Sequence, residues 1–118
     1  MKKLGFASLV LVLSLAAAHA QSSHGGHGAT PSNAPESTRE FQVANDQMHK
    51  DMSIKFSGNA DIDFIRGMIP HHQGAIDMAR VVLKHGKDPE TRKLAGEIIK
   101  AQEKEIAFMR DWLKKKGQ

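Results

Sequence analysis

The sequence contains no cysteine and no tyrosine, and its only tryptophan is Trp112. Without cysteine, the protein has neither disulfide bonds nor thiolate ligands for a metal. The net charge is +4 over 118 residues, and Lys2 and Lys3 contribute two of these charges. Such a weak positive excess, with so few aromatic side chains, does not indicate a nucleic-acid partner. The length is enough for one small domain.

Residues 1–20 have the organisation of a secretory signal peptide. Lys2 and Lys3 form a positive segment, residues 4–17 form an apolar run, and Ala18-His19-Ala20 has small residues at the −3 and −1 positions of a cleavage site. The apolar run is short for a membrane span. The sequence therefore predicts a periplasmic or secreted protein with no membrane attachment after cleavage. An uncleaved anchor is the alternative.

Residues 21–38 are rich in glycine, serine and proline and lack apolar periodicity, which is typical of a disordered leader. His24 and His27 are candidate auxiliary ligands that would hold a metal loosely. A solvated tail without a metal is the alternative interpretation of the same segment.

Residues 39–118 predict a helical domain. Apolar residues recur at helical spacing from about Glu40 to Phe56 and from about Asp61 to Lys84. Asp88-Pro89 then predicts the start of a third helix that ends near Lys115. The predicted fold is a small, all-α, antiparallel bundle of three main helices. About 80 structured residues lie near the lower limit for a self-sufficient core, so a homodimer that completes a larger bundle stays open.

Potential metal ligands lie on the apolar faces of these helices. Met48 and Met52 lie one turn apart on the first helix, with His49 at the edge of the face. The apolar side of the second helix contains Met68, His71, His72, Ala75, Met78, Ala79 and Val82. Pro70 predicts a kink that directs the two histidines. His71 shares its direction with Met78, so we expect it to be a ligand before His72.

The third helix is predicted to bury Leu94, Ile98, Ala101, Phe108, Met109, Trp112 and Leu113. Gln102 and Glu105 interrupt this face. Either one is an ordinary polar neighbour or accepts the second N–H of a histidine that binds a metal, as is common around metal sites.

Thioether sulfur is a soft ligand and imidazole a borderline one, so this Met/His set favours Cu(I), with Ag(I) as a surrogate. Two competing chemistries lack their motifs. A di-iron site needs Glu-x-x-His pairs, and hydrolytic zinc sites commonly use His-Glu-x-x-His. Two alternatives stay open: a structural bundle in which methionine only packs, and a copper-dependent redox enzyme. The thin supply of histidine favours binding without catalysis.

One segment resembles a known family. Asp63-Phe64-Ile65, then Gly67-Met68-Ile69-Pro70-His71-His72-Gln73-Gly74-Ala75-Ile76 and Met78-Ala79, is similar to the signature of the domain-of-unknown-function 305 family. The similarity extends from residue 41 to residue 115 and includes Met48-His49-x-x-Met52.

The resemblance implies a ferritin-like fold and a relationship to CopM-like periplasmic copper-binding proteins. It implies copper tolerance, buffering or delivery, with a copper-transfer protein as a further partner. The ligands that it implies are Met48, Met52, Met68, His71, His72, Met78 and Met109.

Overall fold

A computed structural model describes residues 31–118, and this part of the chain forms three α-helices and no strand. Helix α1 spans Glu36–Met52, α2 spans Ala60–His85 and α3 spans Pro89–Lys115. The predicted all-α bundle is therefore confirmed. Within residues 31–118, no helix is long and apolar enough to cross a membrane. The predicted signal peptide, with most of the leader and both of its histidines, lies outside the described residues.

Helix α2 is the central element of the bundle. It packs against both other helices, whereas α1 and α3, both fully described, have no Cα atoms within 8 Å of each other. The most buried side chain is Ile76 of α2, which is 2 % exposed and packs with Ile106 and Met109 of α3. Four partly buried residues surround this cluster: Ile65, Met68, Ile69 and Ile99. The core therefore lies mainly between α2 and α3.

A carboxylate organises the turn between α1 and α2. Asp63 accepts hydrogen bonds from the backbone N–H and the hydroxyl of Ser57, both at 2.7 Å, and from the Gly58 N–H at 3.1 Å. Gly58 has a φ of +87°, a conformation in which a Cβ atom would be strained. Asn59 caps α2 by accepting from the N–H groups of Asp61 and Ile62. The hydrogen bond from Ser57 is the main cause that lowers the pKa of Asp63.

The second turn matches the sequence prediction closely. Asp88 caps α3 by accepting from the Thr91 N–H at 2.7 Å, and Pro89 is the first helical residue. Helix α2 ends with Gly86 as its C-cap, as expected. The Arg92 guanidinium donates to the carbonyl oxygens of Leu83 and Gly86, so α3 caps the C-terminal end of α2.

The first helix lies four residues earlier than predicted at both ends. It begins at Glu36, inside the segment assigned to the leader, because Pro35 has a backbone φ of −50° that suits a helix start. It ends at Met52, and the Ser53 hydroxyl donates to the His49 carbonyl at 3.1 Å beside this end. Phe56, predicted to lie on the buried face, is consequently in the turn and 74 % exposed.

Two residues of the predicted core are corrected. Helix α2 itself is capped by Asn59 and is continuous through Pro70, and the kink at Pro70 stays a prediction. Leu94 and Phe108, assigned to the buried face of α3, are 55 % and 64 % exposed. The reason is that only α2 has Cα atoms within 8 Å of α3, and a single close neighbour covers a narrower stripe than a full bundle does.

Asp63→Asn is expected to lower the thermal midpoint at pH 7, because an amide cannot accept from all three donors. The carboxylate has a folded-state pKa below its ordinary value. Its contribution to stability is therefore complete above pH 4 and is lost as the pH falls through the folded-state pKa. Chemical denaturation from pH 7 to pH 2 should show the two proteins converging at the acid end. Asp61→Asn, in the same helical turn, is the matched control, and an equal effect from it would contradict this explanation.

Candidate metal centre

Two of the predicted methionine ligands meet a histidine between α2 and α3. Met68, His72 and Met109 line one groove of about 270 Å³. The groove is otherwise bordered by Phe64, Ile65, Glu105 and Phe108. Met109 is 5 % exposed, and Met68 packs against the cluster to which Met109 belongs. Two thioethers and one imidazole from two helices therefore share one mainly apolar groove.

A carboxylate holds one nitrogen of this imidazole. His72 Nε2 lies 2.5 Å from Glu105 Oε2, and the side chains of His72 and Glu105 are 14 % and 59 % exposed. His72 Nδ1 is buried and has no hydrogen-bond partner. With Nε2–H donating to the carboxylate, Nδ1 of the neutral ring has a free lone pair. His72, which lines the groove, thus has one ring nitrogen that no protein group satisfies.

The same region contains a second unpartnered polar atom. Gln102 Oε1 is buried without a hydrogen-bond partner, one helical turn before Glu105 on α3. An unsatisfied buried polar atom is costly, and here one belongs to the histidine that Glu105 contacts and the other to a residue one turn from Glu105. Both Gln102 and Glu105 are the residues that interrupt the apolar face of α3 in the sequence.

The two adjacent histidines have different environments. His71 is exposed, whereas His72 is partly buried, and their ring centroids are 6.0 Å apart with planes inclined at 59°. Consecutive residues of a helix differ in direction by about 100°. Because α2 has a neighbour on two sides, only His72 lies in the groove against α3. The structure therefore places His72, rather than His71, beside Met68 and Met109.

Two of the other predicted methionine ligands, Met48 and Met52, belong to α1. Met48 lies directly over Gly74 of α2, and its sulfur is 2.5 Å from the position that a Cβ atom of residue 74 would take. Because α1 and α2 run antiparallel, Met52, one turn later, is level with Pro70 and His71. Met48 therefore lies on another side of α2 from the groove of Met68, His72 and Met109.

Met78 occupies a third place. It lines an apolar groove of about 230 Å³ that all three helices border, with Phe41 on α1 and Leu94 on α3. His49, the auxiliary candidate on α1, is exposed. The seven predicted ligands do not form a single site, and His24 and His27 lie outside the described residues.

A different donor group was missed by the sequence reasoning. Ligand atoms of Glu36, Glu40 and His85 lie within 4.8 Å of one another, at the start of α1 and the end of α2. His85 Nε2 is 3.0 Å from Glu40 Oε2, and the Lys84 ammonium group binds both carboxylates. The hydrogen bond from Lys84 is the main cause that lowers the pKa of Glu40, and the bond from Glu40 is the main cause that raises the pKa of Lys84. The spacing of the two glutamates by one turn was a usable signal, but Glu36 had been assigned to the leader.

The helical fold and the Met/His groove define a small, all-α protein with soft donor atoms between two helices. The profile of one family, described as a domain of unknown function (DUF305), matches residues 12–113. The chain belongs to this family, as its Met-Ile-Pro-His-His segment predicted.

One curated relative comes from a virus. The chain is 43 % identical over 49 residues to the uncharacterized protein L153 of Acanthamoeba polyphaga mimivirus. The match covers 42 % of this chain and 32 % of that protein, so it spans about a third of the relative's length.

The contact of Met48 with Gly74 makes a prediction about stability. Gly74→Ala should lower the free energy of unfolding by about 1–3 kcal/mol, because the added methyl group overlaps the Met48 side chain. Gly96→Ala on α3 is the matched control, since no atom lies within 4 Å of its added methyl group. It should raise stability by up to about 1 kcal/mol through helix propensity. Urea denaturation measures both, and equal effects of the two substitutions would contradict the close contact.

Proposed function

We propose that this protein binds Cu(I) in the groove between α2 and α3, through the sulfur atoms of Met68 and Met109 and through His72 Nδ1. The observation that carries the proposal is that His72, whose buried Nδ1 has no partner, lines the same groove as Met68 and Met109. Soft neutral sulfur with an imidazole nitrogen prefers Cu(I) to Zn(II), Mg(II) or iron. No thiolate competes, because the sequence has no cysteine.

The contact between Glu105 and His72 supports this assignment. A histidine that binds a metal usually donates its other N–H to a carboxylate or carbonyl oxygen, which fixes the tautomer and the orientation of the ring. Glu105 makes such a contact with Nε2. It thereby leaves Nδ1 as the atom available to a metal.

The role that fits such a site is transport or buffering of copper rather than catalysis. The groove opens at the surface between Phe64 and Phe108, which are 62 % and 64 % exposed. An open groove lets a copper-transfer protein approach and exchange ligands with the bound ion. With the predicted signal peptide, this proposal places the protein in the periplasm or outside the cell.

The remaining predicted ligands belong to a weaker part of the proposal. Met48 and Met52 lie on α1, His71 is exposed, and Met78 lines another groove, so these four are candidates for binding copper elsewhere. Their positions outside the groove of His72 argue against a single ion that uses all seven ligands.

The competing function is that of a structural bundle. It is favoured by the packing of Met68 and Met109 against Ile76 and Ile106, since methionine is a common core residue. The two functions differ in one measurable respect. A ligand that binds only the folded state raises the thermal midpoint, and a bundle without a copper site shows no such shift.

Cu(I) binding should depend on the α2–α3 groove. Met68→Leu combined with His72→Ala is expected to abolish the tightest site, because one sulfur and the only nitrogen are removed together. Competition with a chromophoric Cu(I) chelator under reducing conditions measures the affinity. Met52→Leu combined with His71→Ala removes the same residue types on the other side of α2 and should retain the tightest site. Loss of the tightest site only in the second double variant would place that site against α1. If neither double variant loses it, both locations are excluded.

The carboxylate that holds His72 has its own test. Glu105→Gln is expected to weaken Cu(I) binding by about tenfold, because an amide orients the ring less strongly than a carboxylate. Glu103→Gln, an exposed glutamate on the same helix, is the matched control. Equal affinities of the two variants would show that Glu105 forms only a surface contact.

A further inference from the structure

Three hard or borderline donors converge at the end of the molecule where α1 begins and α2 finishes. The two carboxylates, of Glu36 and Glu40, lie one turn apart on α1, and the imidazole of His85 belongs to the last turn of α2. All three ligand atoms lie within 4.8 Å of one another. The side chains of Glu40 and His85 are 30 % and 22 % exposed, whereas that of Glu36 is 58 % exposed, so the group is open to solvent on the side of Glu36.

The position between the donors already holds a cation. The Lys84 ammonium nitrogen is 3.0 Å from Glu36 Oε1 and also binds Glu40, and His85 Nε2 is 3.0 Å from the other oxygen of Glu40. The carboxylates are therefore directed at one cation-sized space, with an imidazole nitrogen at its border. The ammonium group binds the two carboxylates, whereas the imidazole donates its Nε2–H to Glu40, so a metal would bind at Nε2 only after that proton has left.

We propose that Glu36, Glu40 and His85 form a divalent metal site for an ion that takes oxygen and nitrogen ligands, such as Zn(II), and that Lys84 leaves the site when the ion enters. Two ligands at about 2.1 Å from a tetrahedral ion are about 3.4 Å apart, so the observed donors need only small side-chain movements. Two carboxylates balance the charge of the dication. Once its Nε2 proton has been released to solvent, the imidazole adds a third ligand, whereas Lys84 now binds only the two carboxylates.

Displacement of Lys84 is feasible because the side chain is 54 % exposed and can extend into solvent. Ion pairs between exposed groups contribute little to stability. The chain therefore contains a resident cation that competes with the metal. Its removal should strengthen metal binding rather than weaken it, which a simple salt-bridge cluster does not predict.

This site is independent of the proposed copper groove. His85 lies thirteen residues after His72 on α2, which is about 20 Å along the helix. The donor atoms also differ in character, with carboxylates and imidazole at one end and thioethers with imidazole at the other. Loss of one site should leave the other intact.

The experiment is a competition titration of the whole protein with Zn(II) and a chromophoric chelator. The background carries His24→Ala and His27→Ala, so that these two histidines do not bind the ion. Glu36→Gln and His85→Ala should each weaken the binding of one equivalent of Zn(II) at least tenfold. Glu90→Gln, in the first turn of α3, is the matched control for Glu36. Lys84→Met should strengthen the same equivalent by about tenfold, because a competing charge is removed.

Lys87→Met controls for the general loss of one positive charge near the end of α2. A gain confined to Lys84→Met supports the site. The proposal is overturned if Lys84→Met and Lys87→Met have the same affinity, or if Glu36→Gln behaves as Glu90→Gln does. Circular dichroism checks that each variant is folded. Should His85→Ala unfold, Glu36→Gln decides, because it leaves the contact between Glu40 and His85 in place. Cu(I) affinity, measured in the same variants, should not change.

Discussion

The packing of α2 between two helices whose Cα atoms stay more than 8 Å apart determines which residues of α2 share a neighbour. A helix with one neighbour buries a single stripe, but α2 buries Gly74 against Met48 on one side and packs Ile76 with Ile106 on another. Residues that are adjacent in the chain therefore face different neighbours. His71 and His72 are separated in this way, because consecutive side chains differ by about 100°.

The helices themselves are readable from the sequence because their ends are determined locally. Asp88 with Pro89 sets the start of α3, and Gly86 ends α2, through hydrogen bonds and backbone angles that involve only a few neighbouring residues. The start of a helix is predicted less well where the sequence lacks a single clear capping residue. The start of α1 depends on Pro35 rather than on a polar capping side chain, and Asn59 competes with Asp61 for the start of α2.

The candidate site is likewise predictable only where it depends on local sequence signals. That Glu105 contacts a histidine was foreseeable from its place on an apolar face, but which histidine depends on how α3 is rotated against α2. The hydrophobic periodicity of a helix predicts which of its faces is buried, but it does not predict how that helix is rotated against its neighbour. The cluster of Glu36, Glu40 and His85 was not found because it joins residues 45 or more positions apart. Such a contact follows from the antiparallel packing of α1 against α2. No short sequence pattern predicts which residues of α1 lie beside which residues of α2.

Packing and metal binding place different demands on the methionines of the core. Leucine has a volume close to that of methionine, and exchanges between the two in a core usually cost less than about 1.5 kcal/mol. Packing against Ile76 and Ile106 therefore does not by itself require sulfur at positions 68 and 109. The unpartnered Nδ1 of His72 requires more explanation, because a buried nitrogen without a partner destabilises the fold unless something binds it. In the proposed function, a soft metal ion is that partner, and the sulfur atoms of Met68 and Met109 line the same groove. The unpartnered Nδ1 of His72 therefore supports a metal site more strongly than the number of methionines does.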